Sequence, residues 1–282
     1  TGRSADPALF LAPQIHELGW AMDDWERLGR GTLTGHLLEC AGQVTGGYFA
    51  DPGRKDVEGL DRTGYPIAEI DADGGIVIGK APETGGLVTE RTVKEQLLYE
   101  IHDPGAYVTP DGVLDLTDVE VAGIGPDRVR VTGARGKPAT DSYKVTVSLR
   151  GGWLGEGEIS YAGPNAEARA RMTVDILRGR LRHRGLDLRS RIDLIGVASI
   201  LDDDGGTLAR DAALASEDVR VRLAVEGADR AAVEAATQEV LALLCAGPAG
   251  GGGVRRRHVE RIHTVSFLVP KADLPVTMEW AS

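Results

Sequence analysis

The apolar pattern of this chain changes period part-way along, and that change bounds the fold more tightly than any motif. Before about residue 110, apolar residues recur at helical spacing: Leu9, Phe10, Leu11, Ile15 and Leu18, then Trp25, Leu28, Leu33, Leu37 and Leu38. Beyond it, short runs over 119–122, 128–132, 143–149 and 157–160 read as successive strands with turns between them. A helix over 166–182 behind Asn165 follows, then strands near 192–200 and 218–225 and an amphipathic helix over 229–245. A Gly-rich link spans 247–253, a strand covers 259–268, and one more is expected over 276–280. The expectation is an α/β to α+β fold, with a helix-rich first part carrying Gly-rich loops and a second part of mixed β-sheet and helix. The late strand–helix–strand order points to an α+β sandwich. The boundary is expected near residue 110: residues 1–110 as the C-terminal remainder of an α/β core domain, residues 111–282 as an α+β domain.

Within the first part, Asp6-Pro7 reads as the opening of a helix over 5–18, with a capping residue before a proline at the first helical position. Asp23-Asp24 opens a second helical stretch over about 24–42, which Gly29, Gly31 and Gly35 are expected to bend or break. Residues 43–65 are rich in Gly, Pro and Asp and show no period, and so long a loop is uncommon unless it has work to do. A hairpin is expected over 66–70 and 76–78, across Asp71-Ala72-Asp73-Gly74-Gly75, and a helix over 90–101 behind Thr89.

Composition narrows the class. Of 282 residues, 42% are hydrophobic and 27% charged, the balance of a folded chain. Two cysteines far apart, Cys40 and Cys245, form no CxxC and point to a reducing, cytoplasmic setting without a structural disulfide. No apolar run approaches the roughly 20 residues of a membrane span, and no signal peptide opens the chain. A net charge of −11 disfavours nucleic acid and anionic lipid but leaves room for a small anionic substrate in a local basic pocket. A homo-oligomer is compatible with all of this. The first residue is Thr1, which fits a fragment, an engineered piece or a processed subunit, and the loop-then-helix opening leads us to expect a strand upstream.

Four places can carry chemistry. On a helix, His36, Glu39 and Cys40 share one face, because i, i+3 and i+4 are neighbours. They read as a Cys–His pair, as part of a metal site, or as a structural histidine with a capping Glu; Asp51 adds a further candidate acid/base group. Two Gly-rich turns, Thr45-Gly46-Gly47 and Thr84-Gly85-Gly86, would let backbone amides approach an anion or carbonyl, or are ordinary turns. Neither is a nucleotide fingerprint. The loop of Arg135 and Lys137 can hold a phosphate or carboxylate, or form a plain hairpin tip. Thr1 can be an N-terminal nucleophile activated by its own amine, although such residues usually begin a strand. The basic runs 178–184 and 255–258 read as a helix C-terminus and a solvated turn.

Several strings resemble the acyclic terpene utilisation (AtuA-type) family. They are Thr1-Gly2-Arg3-Ser4-Ala5-Asp6-Pro7-Ala8-Leu9-Phe10-Leu11-Ala12-Pro13, His16-Glu17-Leu18-Gly19-Trp20, Gly35-His36-Leu37-Leu38-Glu39-Cys40 and Gln43-Val44-Thr45-Gly46-Gly47-Tyr48-Phe49-Ala50-Asp51-Pro52. The likeness continues in Thr84-Gly85-Gly86-Leu87-Val88, Glu95-Gln96-Leu97-Leu98-Tyr99-Glu100 and His102-Asp103-Pro104, covers about residues 1–185, and is weak beyond. The resemblance implies an α/β segment before Thr1-Gly2-Arg3 with a strand leading into it, which would place Thr1 and Arg3 beside a binding cleft. It also implies breakdown of citronellol- and geraniol-like acids through CoA thioesters, and supplies no catalytic residues. The expected function is an enzyme of acyclic terpene and branched-chain carboxylic acid catabolism acting on an acyl-CoA or related carboxylate, with His36, Glu39 or Asp51 as acid/base. The CoA moiety of the substrate is the cofactor-like group it suggests. A self-processed N-terminal-threonine hydrolase and a non-catalytic accessory subunit of a CoA-dependent pathway are the alternatives.

Overall fold

The structure, a computed structural model, describes residues 4–212, 216–274 and 276–277. Two compact units emerge: residues up to Lys144 together with those from Leu268 onward, and Val145–Phe267. The contacts divide the chain after residue 144, because strands that follow residue 110 pair with strands that precede it.

The first unit opens with α1 (Ala8–Leu18) and α2 (Trp25–Leu38). No side chain caps α1, so Asp6 does not play the expected role, and Pro13 is accommodated inside the helix. Asp24 caps α2 by accepting from the Arg27 amide at 3.3 Å. The glycines of α2 do not break it; they let neighbours approach. A Cβ on Gly29 would meet the Gly136 backbone at 2.6 Å, on Gly31 the Leu11 side chain at 2.6 Å, and on Gly35 the Pro7 carbonyl at 2.5 Å. Close packing on three sides therefore outweighs the cost of about 1 kcal/mol per helical glycine.

Next come β1 (Pro66–Ile70), β2 (Ile76–Lys80), α3 (Glu90–Leu98), β3 (Tyr107–Val108), β4 (Val113–Asp115), β5 (Glu120–Gly125), β6 (Arg128–Thr132) and β7 (Arg135–Lys137). They build two antiparallel sheets, ordered β1-β2-β6-β5 and β3-β4-β7. The expected hairpin is present: Asp71 accepts from the amides of Asp73 and Gly75 and so shapes its turn. Thr89 caps α3 in a reciprocal pair with Thr92. The core joins Leu33 and Leu37 of α2 to Ile76, Ile78, Val129 and Val131 of the larger sheet and Val93 and Leu97 of α3.

The second unit is built on β8 (Ser142–Ala162), α4 (Ala166–His183), β9 (Arg189–Ile195), α5 (Thr207–Asp211), β10 (Asp218–Gly227), α6 (Arg230–Ala246) and β11 (Gly252–Pro270). The short α5 has no counterpart in the sequence reading. Apart from α5 the order is βαββαβ, and the sheet runs β11-β8-β10-β9, a ferredoxin-like sandwich. The strands expected over 143–149 and 157–160 are one continuous strand, because β10 and β11 supply partners along β8 and its glycines are used as close contacts rather than turns. A Cβ at Gly155 or Gly157 would strike Val233 or Val240, so these glycines let α6 lie flat on the sheet. The run 255–258 lies within β11 and is no turn, since Arg256 and His258 reach back to Thr237 on α6. The run 178–184 does close a helix, and Arg180 and Arg184 both pair with Glu239. Of the strand expected over 276–280, residues 278–280 lie outside the described residues, and 276–277 carry no strand.

Candidate functional site

The C-terminal end of α2 holds the densest polar chemistry of the chain. His36 occupies the last turn and is 1% exposed. It belongs inside because its ring is held on three sides: Tyr107 of β3 lies at 5.4 Å between ring centroids, the Leu97 carbonyl at the end of α3 lies 3.2 Å from Nε2, and Glu39 Oε1 lies 3.1 Å from Nδ1. The amide of Gln96, also fully buried, donates to the His36 carbonyl at 2.8 Å. A helix end, a second helix end and a short strand thus converge on one imidazole.

Proton accounting follows from those partners. A carbonyl only accepts, so Nε2 carries a hydrogen and donates to Leu97. Nδ1 faces a carboxylate oxygen, and two acceptors cannot bond without a proton between them. The His36–Glu39 pair therefore holds one proton, as an imidazolium beside a carboxylate or as a neutral imidazole beside a carboxylic acid. Glu39 has a second oxygen, Oε2, which is buried and has no partner among the described residues. Its side chain is only 9% exposed. An orphaned buried acceptor costs on the order of 1–3 kcal/mol, and more when charged, so its presence needs a reason.

Cys40 follows directly and lies beside the Gln96 amide. Burial raises its thiol, and the charges of Glu39, Glu100 and Asp6 raise it further, so it is a neutral thiol rather than a reactive thiolate. His36 makes no hydrogen bond to it, both ring nitrogens being engaged elsewhere. The Cys–His pair of the sequence reading is thereby replaced by a Glu–His pair. Among the described residues, no group of three or more His, Cys, Asp or Glu is arranged to hold a metal ion.

Two tyrosines respond to the same field. Tyr107 is pushed up to about 12, first by burial and then by Glu39, Asp6 and Glu100. Tyr99 is raised by the adjacent Glu100. Its ring meets the edge of Tyr48 at 5.8 Å, and Tyr48 is 83% exposed. Backbone strain gathers here too: Ala41, Tyr48 and Glu100 have φ of 48°, 58° and 59°. Each non-glycine in the left-handed region costs roughly 1–2 kcal/mol, and such strain concentrates at functional sites.

Gln43, Tyr48, Gln96, Tyr99, Glu100 and Tyr107 were missed as site residues by the sequence reading. All but Tyr107 stand inside the strings that carried the family resemblance, and that was the available signal. The acyclic terpene utilisation family protein AtuA model matches residues 1–280, well past residue 185 where the resemblance had faded. The chain belongs to that family. No curated protein and no solved structure matches it.

The other expected site residues of this AtuA-family chain are placed as follows. Asp51 is exposed on a turn, where its amide and carbonyl bond Lys55, and no contact joins it to His36 or Glu39. The two Gly-rich turns lie against each other: the Leu87 amide donates to Thr45 O, and a Cβ on Gly86 would sit 2.3 Å from that same oxygen. The amides of Gly46, Gly47, Gly85 and Gly86 donate to Gln43, Gly42, Arg62 and Glu58 carbonyls. The Thr45 hydroxyl bonds Gly64 O at 2.6 Å, and the Thr84 hydroxyl bonds Ala81 O at 2.6 Å. These donors are occupied by the fold itself. Arg135 pairs with Asp118, and Lys137 with Asp115 at 2.9 Å. Thr1 and Arg3 lie outside the described residues. Two surface cavities, about 520 Å³ beside Thr89, Arg91 and Pro126 and about 250 Å³ beside Arg30 and Gly74, include none of the Glu39 group.

Proposed function

We propose that this AtuA-family chain is an enzyme of acyclic terpene and branched-chain carboxylic acid catabolism, acting on an acyl-CoA or related carboxylate, with Glu39 as its proton-transfer group. The observation that carries this reading is the half-satisfied carboxylate: Oε1 held by His36, Oε2 buried and without a partner among the described residues. With the shared proton on His36, Glu39 is a carboxylate whose Oε2 takes a proton from a substrate group; the resulting acid returns it later in the cycle. The imidazolium bond to Oε1 persists throughout. His36 is accordingly a positioning residue, since its own nitrogens never face the substrate.

The test is incubation of the protein and its Glu39→Gln variant with branched CoA esters, following ester consumption by mass spectrometry alongside thermal midpoints. We expect esters to raise the midpoint of the unsubstituted protein, and Glu39→Gln to keep its fold while losing turnover by roughly 10²-fold or more. Equal turnover by the variant, or no ester that binds, would sink the reading.

A further inference from the structure

Resting on that reading of Glu39, we propose that the group this site receives is an uncharged hydrogen-bond donor, a hydroxyl of the substrate, and that the substrate's anionic end is bound elsewhere. Two side chains on different helices argue for it. The charge of Glu39 and the side chain of Gln96 both act on Cys40; the buried atoms of these two side chains that lack partners among the described residues are Glu39 Oε2 and Gln96 Oε1, and both are acceptors. The Gln96 amide cannot be turned to present its nitrogen instead, because that nitrogen already donates to the His36 carbonyl at 2.8 Å. A ligand that brings a carboxylate would face these oxygens with more oxygens and leave all of them unpaired.

The surrounding charges point the same way. The ionised groups that act on Cys40 and Tyr107 are the carboxylates of Glu39, Glu100 and Asp6, and no lysine or arginine is among them. Among the described residues, the cationic candidate at this site is His36, and both its nitrogens are engaged. An anion placed among the carboxylates of Glu39, Glu100 and Asp6 meets like-charge repulsion from all three. A hydroxyl donates to Oε2 as a hydrogen bond and enters the site uncharged. On the turn that follows, Gln43 Nε2 is a buried donor without an acceptor. It is the complement for an uncharged carbonyl, so a hydroxylated acyl ester or thioester matches the orphaned atoms in both kinds. The aromatic rings of Tyr48 and Tyr99 offer apolar edges beside the same strained segment.

The experiment uses three probes on one carbon skeleton: isoamyl alcohol, isovalerate and isoamylamine, titrated by calorimetry into the protein and into Glu39→Gln. The alcohol should bind at least about tenfold more tightly than isovalerate, the ratio expected when unpaired buried acceptors are worth 1–3 kcal/mol. Glu39→Gln replaces an acceptor oxygen with an amide that can donate and removes a charge, so it should narrow or reverse that preference while circular dichroism stays unchanged. Isovalerate binding as well as the alcohol, the amine binding better than the alcohol, or none of the three binding overturns the inference; in the last case the orphaned oxygens hold only water. These outcomes are independent of turnover by Glu39→Gln, which tests the acid/base role separately.

Discussion

The two units of this chain treat buried polarity in opposite ways. In the ferredoxin-like unit, charge on the sheet face away from the helices is organised as a ladder. Asp193 is 5% exposed and accepts from Arg191 at 2.8 Å and Arg222 at 2.9 Å. Arg222 also pairs with Glu156, Arg220 with Glu158, and Glu226 with both Arg189 and Arg261. Among the described residues, the five buried side-chain atoms without partners, on Gln14, Trp20, Glu39, Gln43 and Gln96, all belong to the first unit. So do five of the six non-glycine residues with positive φ. A unit in which no described buried side-chain polar atom lacks a partner is a framework. One that stores unsatisfied acceptors and strained backbone at one helix end is where a ligand has something to repay.

The largest effect that would break this comparison concerns glycine contacts. Gly136→Ala places a Cβ 1.6 Å from the rigid Trp25 carbonyl, whereas Gly151→Ala meets only the exposed His263 ring at 1.7 Å. Urea denaturation should show a loss of about 3 kcal/mol or more, or failure to fold, for the first, and under about 1 kcal/mol for the second, because a ring at the surface swings aside and a packed helix carbonyl does not. Comparable losses would mean that the ribbon of β8 and β11 is as tightly packed as α2 against β7.

Next comes a matched pair of carboxylate-to-amide changes. Asp193→Asn leaves two arginines facing a neutral group and should lower stability by about 2 kcal/mol, less than a fully buried pair would because both arginines are about 30% exposed. Glu39→Gln should cost less than about 1 kcal/mol or even stabilise, since it relieves an orphaned charge. A large stability loss at Glu39 with none at Asp193 would reverse the roles assigned to the two units.

The smallest effects are in pH dependence. Tyr107 titrates at about 12 in the folded protein against about 10 when unfolded, so between those values the folded state holds the extra proton. Stability contributed by Tyr107 is full below about pH 10 and is lost as pH rises toward 12; Tyr107→Phe should flatten that alkaline limb in denaturation curves. On the acid side, Asp115 is held below the usual carboxylate range by the Thr117 hydroxyl and Lys137, and Glu167 by the Ser216 amide and Arg171. Both contribute stability above their unfolded values that fades as pH falls through about 4 and below, one in each unit. An alkaline limb unchanged in Tyr107→Phe would show that this phenol is not buried against the Glu39 group.

Much of the local structure was legible in the chain. The 66–70 and 76–78 hairpin, the helix behind Thr89, and the helices over 166–182 and 229–245 follow from period and capping, which neighbours in sequence decide. The pairing of His36 with Glu39 is of this kind, as i and i+3 on a helix must meet. Sequence reasoning could not tell whether Cys40, Glu39 or a metal would be the histidine's partner, because that depends on which nitrogen the rest of the fold occupies. The glycines illustrate the same limit. Gly46, Gly47, Gly85 and Gly86 suggested ligand loops, yet they serve close packing: Gly86 against the Thr45 carbonyl, and Gly46, Gly47 and Gly85 against Val57, Gly42 and Gly59.

Sequence alone therefore settled the family, the helix-rich opening with its later strands, and the one helical face that carries His36, Glu39 and Cys40. Tertiary structure decided what those residues can do. Leu97 lies 61 residues from His36 and takes Nε2. Gln96 and Tyr107 arrive from other elements to close around the ring, and no described residue reaches Glu39 Oε2. Short-range spacing obeys helix geometry and can be read along the chain. Whether a buried oxygen finds a partner is a property of everything packed around it, and only the folded molecule supplies that list.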